Sequence, residues 1–127
     1  MKILLLEDDV ILSEFGSAGQ RCSAVRILCL QDDIADQTIE MLKGAMDGLE
    51  VGDPAEIKTD VSPVIDLEAK NHLYKQIDQI DGTLIKKLDV PNRHENFVAP
   101  VCYEVDDISS LKDEIFGPVL RIDRFNA

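Results

Sequence analysis

The sequence predicts an α/β fold, a mainly parallel sheet with helices on both faces, on three observations. Short apolar runs at residues 3–6 and 25–30 have the length and continuity of strands buried in a parallel sheet. Between such runs lie amphipathic stretches whose apolar residues advance by threes and fours, the period of a helix. The alternation of the two makes βαβ units with right-handed crossovers.

The elements follow in chain order. Residues 3–6 read as a buried strand ending in Glu7, Asp8 and Asp9. Residues 9–18 carry Val10, Ile11, Leu12 and Phe15 at near-helical spacing behind Asp9, with Gly16 and Gly19 loosening the far end. Residues 25–30, apolar except Arg26, read as a strand buried on both faces, which makes Cys29 core. Asp33 then caps a helix whose stripe is Ala35, Ile39, Leu42, Met46 and Leu49. Gly44 and Gly48 on that helix suit close packing against the sheet.

Residues 50–60 form a charged loop, and 61–65 a brief extended stretch interrupted by Pro63. Asp66 caps a second helix with Leu67, Ala69, Leu73, Tyr74, Ile77 and Ile80 on its apolar face, and Asp81 with Gly82 stops it. Residues 84–88 are a strand, 91–96 a polar loop, 97–105 a longer extended segment and 106–115 a short helix or turn. Val119–Phe125 is the last strand.

A chain of 127 residues suits a single domain, residues 1–127, with one core burying roughly two-thirds of the surface of the unfolded chain. Its 25 acidic against 13 basic residues give a net charge of −12, a field that repels nucleic-acid phosphates and anionic membrane surfaces. No apolar run reaches the roughly 18 residues of a membrane helix, and the opening run is too short for a signal peptide. The expectation is a cytoplasmic protein without nucleic-acid or membrane partners. Cys22, Cys29 and Cys102 lack paired spacing, and His72 and His94 have no second ligand nearby, so neither a disulfide framework nor a metal site is indicated.

Chemistry concentrates in Phe15-Gly-Ser-Ala-Gly-Gln-Arg-Cys22-Ser-Ala24. Small neighbours around Cys22 leave room for a substrate, and Arg21 favours a thiolate. By spacing alone Cys22 is either a nucleophile or a small core residue. Downstream stands Glu114-Ile-Phe-Gly-Pro118, and between the two lie Thr59-Asp-Val-Ser-Pro-Val-Ile65 and Phe97-Val-Ala-Pro100.

These motifs, in this order and at this distance, resemble those of the aldehyde dehydrogenase superfamily. The wording around Cys22 is most similar to the pyrroline-5-carboxylate (glutamate semialdehyde) dehydrogenases, the kind found as a module of bifunctional proline utilisation enzymes. The resemblance covers about residues 10–127 and implies the C-terminal half of a catalytic domain. It implies that Cys22 is the nucleophile that attacks the aldehyde and that its backbone N–H serves an oxyanion hole. Ser23 is then the contact to the substrate carboxylate, Glu114 the ligand of the nicotinamide ribose, and Phe116 the aromatic beside that ring. The cofactor it implies for the parent enzyme is NAD, and the substrate a small-molecule aldehyde.

The family's cofactor domain, its catalytic glutamate and its oxyanion-hole asparagine precede the cysteine, and the seven glycines here form no phosphate-binding loop. The expectation is therefore a fragment that binds no NAD by itself and turns nothing over. Cutting a domain also exposes apolar surface that self-association covers.

Residues 1–9 resemble the first strand and acidic pair of a response-regulator receiver domain, so a chimera joined near residue 10 is the second expectation. A non-catalytic folding module and a receiver with an Mg²⁺ and phosphorylation site are the alternatives to a dehydrogenase fragment. The receiver reading needs Asp53 and Lys86 to join Glu7, Asp8 and Asp9, yet Asp53 stands in Val-Gly-Asp-Pro-Ala and not after an apolar strand. If that site existed, Mg²⁺ with beryllofluoride at a hundredfold excess over its dissociation constant would stabilise the chain by about 2.7 kcal/mol. No shift in melting temperature is expected, and a saturable shift lost in Asp53→Asn would reverse the ranking.

Overall fold

The computed structural model describes residues 15, 19, 27–53, 55, 56, 58–61, 63–90, 96–106 and 115–126. Their elements run β1 (Ile27–Gln31), α1 (Asp32–Asp47), α2 (Leu67–Asp78), β2 (Gly82–Lys87), β3 (Val101–Val105) and β4 (Val119–Phe125). The four strands form one sheet in the order β1-β4-β3-β2, so β4 is inserted between β1 and β3. Both of its neighbours run parallel to it, whereas β2 pairs antiparallel to β3. The expected mainly parallel α/β architecture is what the chain adopts. The expected strand at 3–6 and most of the helix at 9–18, of the polar loop at 91–96 and of the short helix or turn at 106–115 lie outside the described residues. Phe15, from that first helix, has helical backbone and is fully buried.

Register pairs in the sheet share a face, because side chains alternate along each strand. Leu28 and Leu30 of β1 stand beside Ile122 and Arg124 of β4, and Cys102 of β3 beside Leu120. Against this face lies α1, whose stripe buries Ala35, Ile39, Leu42 and Met46. These residues belong to one apolar cluster that also takes in Leu73 and Ile77 of α2. Each large aliphatic side chain so buried contributes about 1.5–3 kcal/mol relative to exposure.

Polar contacts fix α1 on the sheet. Arg124 Nη2 reaches Asp36 of α1 at 2.7 Å and its Nε donates to Glu104 of β3 at 2.7 Å, so one guanidinium spans three elements. Glu104 first and then Asp36 hold that guanidinium above its ordinary range. Lys86 of β2 pairs with Asp47 at the far end of α1.

Four local expectations are corrected. Gln31, not Asp33, occupies the N-cap of α1, without a side-chain cap bond, and Asp32 and Asp33 sit in the first turn facing the positive end of the helix dipole. Leu67 is 60% exposed, because it opens α2 one turn before the helix meets the core. Gly82 does not stop α2, which ends at Asp78 with Gln79 as its C-cap; it begins β2, where a Cβ would overlap the carbonyl oxygen of Glu104 on the neighbouring strand. Gly44 and Gly48 do not mark close packing either: both are exposed, and a Cβ at Gly44 would meet nothing.

Asp66 does cap α2, its Oδ1 accepting from the Ala69 N–H at 2.7 Å. The loop before it is tied by the Asp60 carboxylate, which accepts from the Glu50 N–H at 2.9 Å, and by a parallel bridge between Val51 and Val61. No helix among the described residues is long and apolar enough to cross a membrane. Replacing Leu42, fully enclosed under α1, by alanine is expected to cost about 2–5 kcal/mol, and Asp66→Ala about 1 kcal/mol. Denaturant titration of both variants measures these two losses.

Candidate functional site

Two sequence segments were expected to make the site, and the fold brings their supporting strands together. The first segment leads into β1 and the second into β4, and β1 and β4 are adjacent parallel strands paired from Ile27 with Arg121 to Gln31 with Phe125. Being parallel, β1 and β4 begin at the same end of the sheet. Cys22, Ser23 and Glu114 themselves lie outside the described residues. Gly19, three residues before Cys22, is buried and has a φ of 65°, a backbone conformation that glycine adopts without the penalty a Cβ incurs.

Phe116 is described, and its setting is informative. Ile115 before it and Gly117 after it are both buried, whereas Phe116 is 46% exposed. An aromatic ring of this size normally stabilises a fold by leaving water. Here two buried neighbours hold it at the surface. The segment after it is pinned: Val101 N–H donates to the Pro118 carbonyl at 3.0 Å and Val119 N–H to the Gly117 carbonyl at 2.8 Å.

Cys29 corrects the expectation of a strand buried on both faces. Leu28 and Leu30 turn to α1, so Cys29 between them turns to the other face, where it is exposed. Among the described residues β1 has β4 as its one neighbouring strand, and an apolar run cannot tell whether its second face will be covered. Cys102 is 1% exposed on β3.

The receiver-type arrangement does not assemble among the described residues. Asp53 lies in the loop between α1 and α2, not at a strand end, and its Oδ1 accepts from the Ala55 N–H at 2.9 Å. Lys86 is engaged with Asp47. His72 is exposed on α2, and among the described residues no three His, Cys, Asp or Glu side chains converge as a metal site. In a hollow of about 830 Å³ at the start of α2, lined by Ile65, Leu67, His72 and Lys75 among others, Asp66 is committed to capping.

Reasoning from sequence missed the close approach of Leu73 to Gly117 and the Arg124 bridge. Both join residues distant in the chain, and no local pattern announces either.

The profile of the Aldehyde dehydrogenase family matches residues 5–127. "Bifunctional protein PutA" of Escherichia coli (strain K12) is 45% identical over 127 residues, which take in 93% of this chain and 10% of that protein. A "1-pyrroline-5-carboxylate dehydrogenase" of Geobacillus kaustophilus (strain HTA426) is 32% identical over 120 residues, 91% of this chain and 23% of the relative. In the crystal structure of a point mutant of Bradyrhizobium japonicum Proline Utilization A (PutA), 95% of this chain superposes on 12% of that one with a TM-score of 0.90 and 42% identity. The chain thus spans from about a tenth to a quarter of the length of these proteins.

The contrast between the two described thiols is directly measurable. Under brief iodoacetamide treatment Cys29 is expected to be modified well before Cys102, whose thiol is enclosed by the sheet and α1. Peptide mapping decides it, and equal rates would show that β3 opens on the timescale of labelling.

Proposed function

Because the chain belongs to the aldehyde dehydrogenase family, we propose that it is part of the catalytic half of an NAD-dependent dehydrogenase that oxidises glutamate semialdehyde, the open form of pyrroline-5-carboxylate, to glutamate. The observation that carries this reading is the likeness to PutA, which extends over nearly the whole chain. In this reading the reaction serves proline catabolism in the cytoplasm. The family profile begins at residue 5 and so takes in part of the opening stretch that resembles a receiver.

The Cys22 thiolate attacks the aldehyde carbon, forming a C–S bond while the carbonyl electron pair moves to oxygen. The Cys22 backbone N–H donates to that oxyanion. NAD, when bound, supplies the acceptor for the hydride that leaves the same carbon. The carbonyl then re-forms as a thioester on Cys22, and attack by water expels the thiolate and gives the carboxylic acid. Ser23 hydrogen-bonds the substrate's own carboxylate and so selects an acidic aldehyde. Glu114 would accept from the ribose hydroxyls of NAD, and Phe116 would pack its ring beside the nicotinamide.

The described part of this set fits a flat ring: Phe116 is presented to solvent by a segment whose neighbouring residues are buried. It does not extend to the rest of the dinucleotide, for which the sequence has no glycine-rich phosphate loop. Positioning of the reacting groups is worth about 7–11 kcal/mol, and an oxyanion donor from outside this chain about 3–4 more. The isolated chain is accordingly inactive, whereas its residues are competent in the setting of a complete enzyme.

The test grafts residues 10–127 into the matching stretch of the Escherichia coli relative and follows NADH formation from glutamate semialdehyde. The expected graft is active, and Cys22→Ala within it lowers kcat by about a thousandfold or more, as loss of a covalent nucleophile does. Activity that survives Cys22→Ala would overturn the assignment. Steady turnover by the isolated chain would overturn its reading as an incomplete piece.

A further inference from the structure

We propose that Leu73 of α2 is a positioning residue for Phe116: its side chain seats against Gly117 and sets how far the Phe116 ring projects. The consequence for catalysis rests on the reading of Phe116 given above, whereas the geometry stands without it. A Cβ built on Gly117 would lie 2.6 and 2.9 Å from Leu73 Cδ2 and Cδ1 and 3.3 Å from Cγ, so the bare Cα of Gly117 is pressed onto the isobutyl group. Leu73 is 3% exposed and belongs to the core cluster, so close packing restricts its retreat into another rotamer.

The direction of any displacement follows from what is fixed around this contact. On its C-terminal side the segment is held by the Gly117 carbonyl accepting from Val119 N–H and the Pro118 carbonyl accepting from Val101 N–H. Both bonds tie it to the start of β4 and β3, whose Val101, Val119 and Leu120 are almost wholly buried. A push from α2 at Gly117 is therefore taken up on the other side, at Phe116. A Cβ at this position would approach Leu73 closer than 3.0 Å, so either the Leu73 side chain or the Gly117 segment has to shift. The arrangement places a helix from the middle of the chain in control of an aromatic ring more than forty residues later, with no contact to substrate required of it.

The chain has no tryptophan, so Phe116→Trp introduces one indole at the position in question. In that background Gly117→Ala is expected to move the ring outward, with emission at longer wavelength and stronger acrylamide quenching. Leu73→Ala alone is expected to let the segment settle inward, with the opposite shifts. The triple variant carrying both changes is expected to return both signals toward those of Phe116→Trp alone, a rescue that general destabilisation does not produce. Cooperative thermal melts accompany each reading. Unchanged quenching in Gly117→Ala, or no rescue by Leu73→Ala, would overturn the proposal. If Gly117→Ala fails to fold, the inward shift in Leu73→Ala decides alone, and its absence is the overturning result.

In the grafted enzyme the same Gly117→Ala and Leu73→Ala pair, with Phe116 retained, is expected to raise the KM for NAD and then restore it, with Cys22 alkylation unchanged. A moved indole beside an unmoved KM would overturn the cofactor role of Phe116 while upholding the Leu73 contact.

Discussion

The fold depends on β4 being clamped in register between two parallel neighbours. Val119, Leu120 and Ile122 are completely buried, and each residue of the strand's first half has a partner on one side or both. A slip by one residue would turn Leu120 and Ile122 away from α1 and carry Arg121 into their place. It would also break the Arg124 bridge, because the guanidinium reaches Glu104 and Asp36 only from the α1 face. The helix, the hairpin and the segment that presents Phe116 all take their positions from this one strand.

Much of this was legible because it depends on period and on short-range chemistry. The α1 stripe of Ala35, Ile39, Leu42 and Met46 is buried as its spacing requires, the Asp66 cap forms, and β4 has the expected bounds. What was not legible depends on surroundings. Cys29 looked like core because apolar runs carry no record of which face is covered, and Leu67 fitted the stripe but falls before the helix reaches the core. Gly82 has the composition of a helix stop, yet its role is to let Glu104 of the neighbouring strand approach, a requirement set by pairing across more than twenty residues. At the candidate site, motif wording pointed to Cys22, Ser23, Glu114 and Phe116, while the Leu73 contact behind Phe116 left no trace in either motif.

The division of labour along the chain is clear from exposure. Residues that hold the sheet together are enclosed by the chain's own helices, whereas Phe116 and Cys29 turn outward. A stretch that makes up about a tenth of a relative such as PutA nevertheless carries its own apolar cluster, with strands, helices and loops all contributing. That interior is sufficient to order a four-stranded sheet.

Among the described residues the two rims of that sheet are not equivalent. At β2 the pairing is antiparallel and its register shifts between Leu84 and Lys86, with Lys86 and Lys87 following. An irregular, lysine-bearing rim is a poor template for another strand, because the offset disturbs the spacing of donors and acceptors and the charges resist desolvation. At the other rim β1 is regular and carries neither proline nor lysine. The described strands are thus polarised: a further strand, whether from the same polypeptide or another molecule, meets an obstacle beside β2 and a regular ladder beside β1.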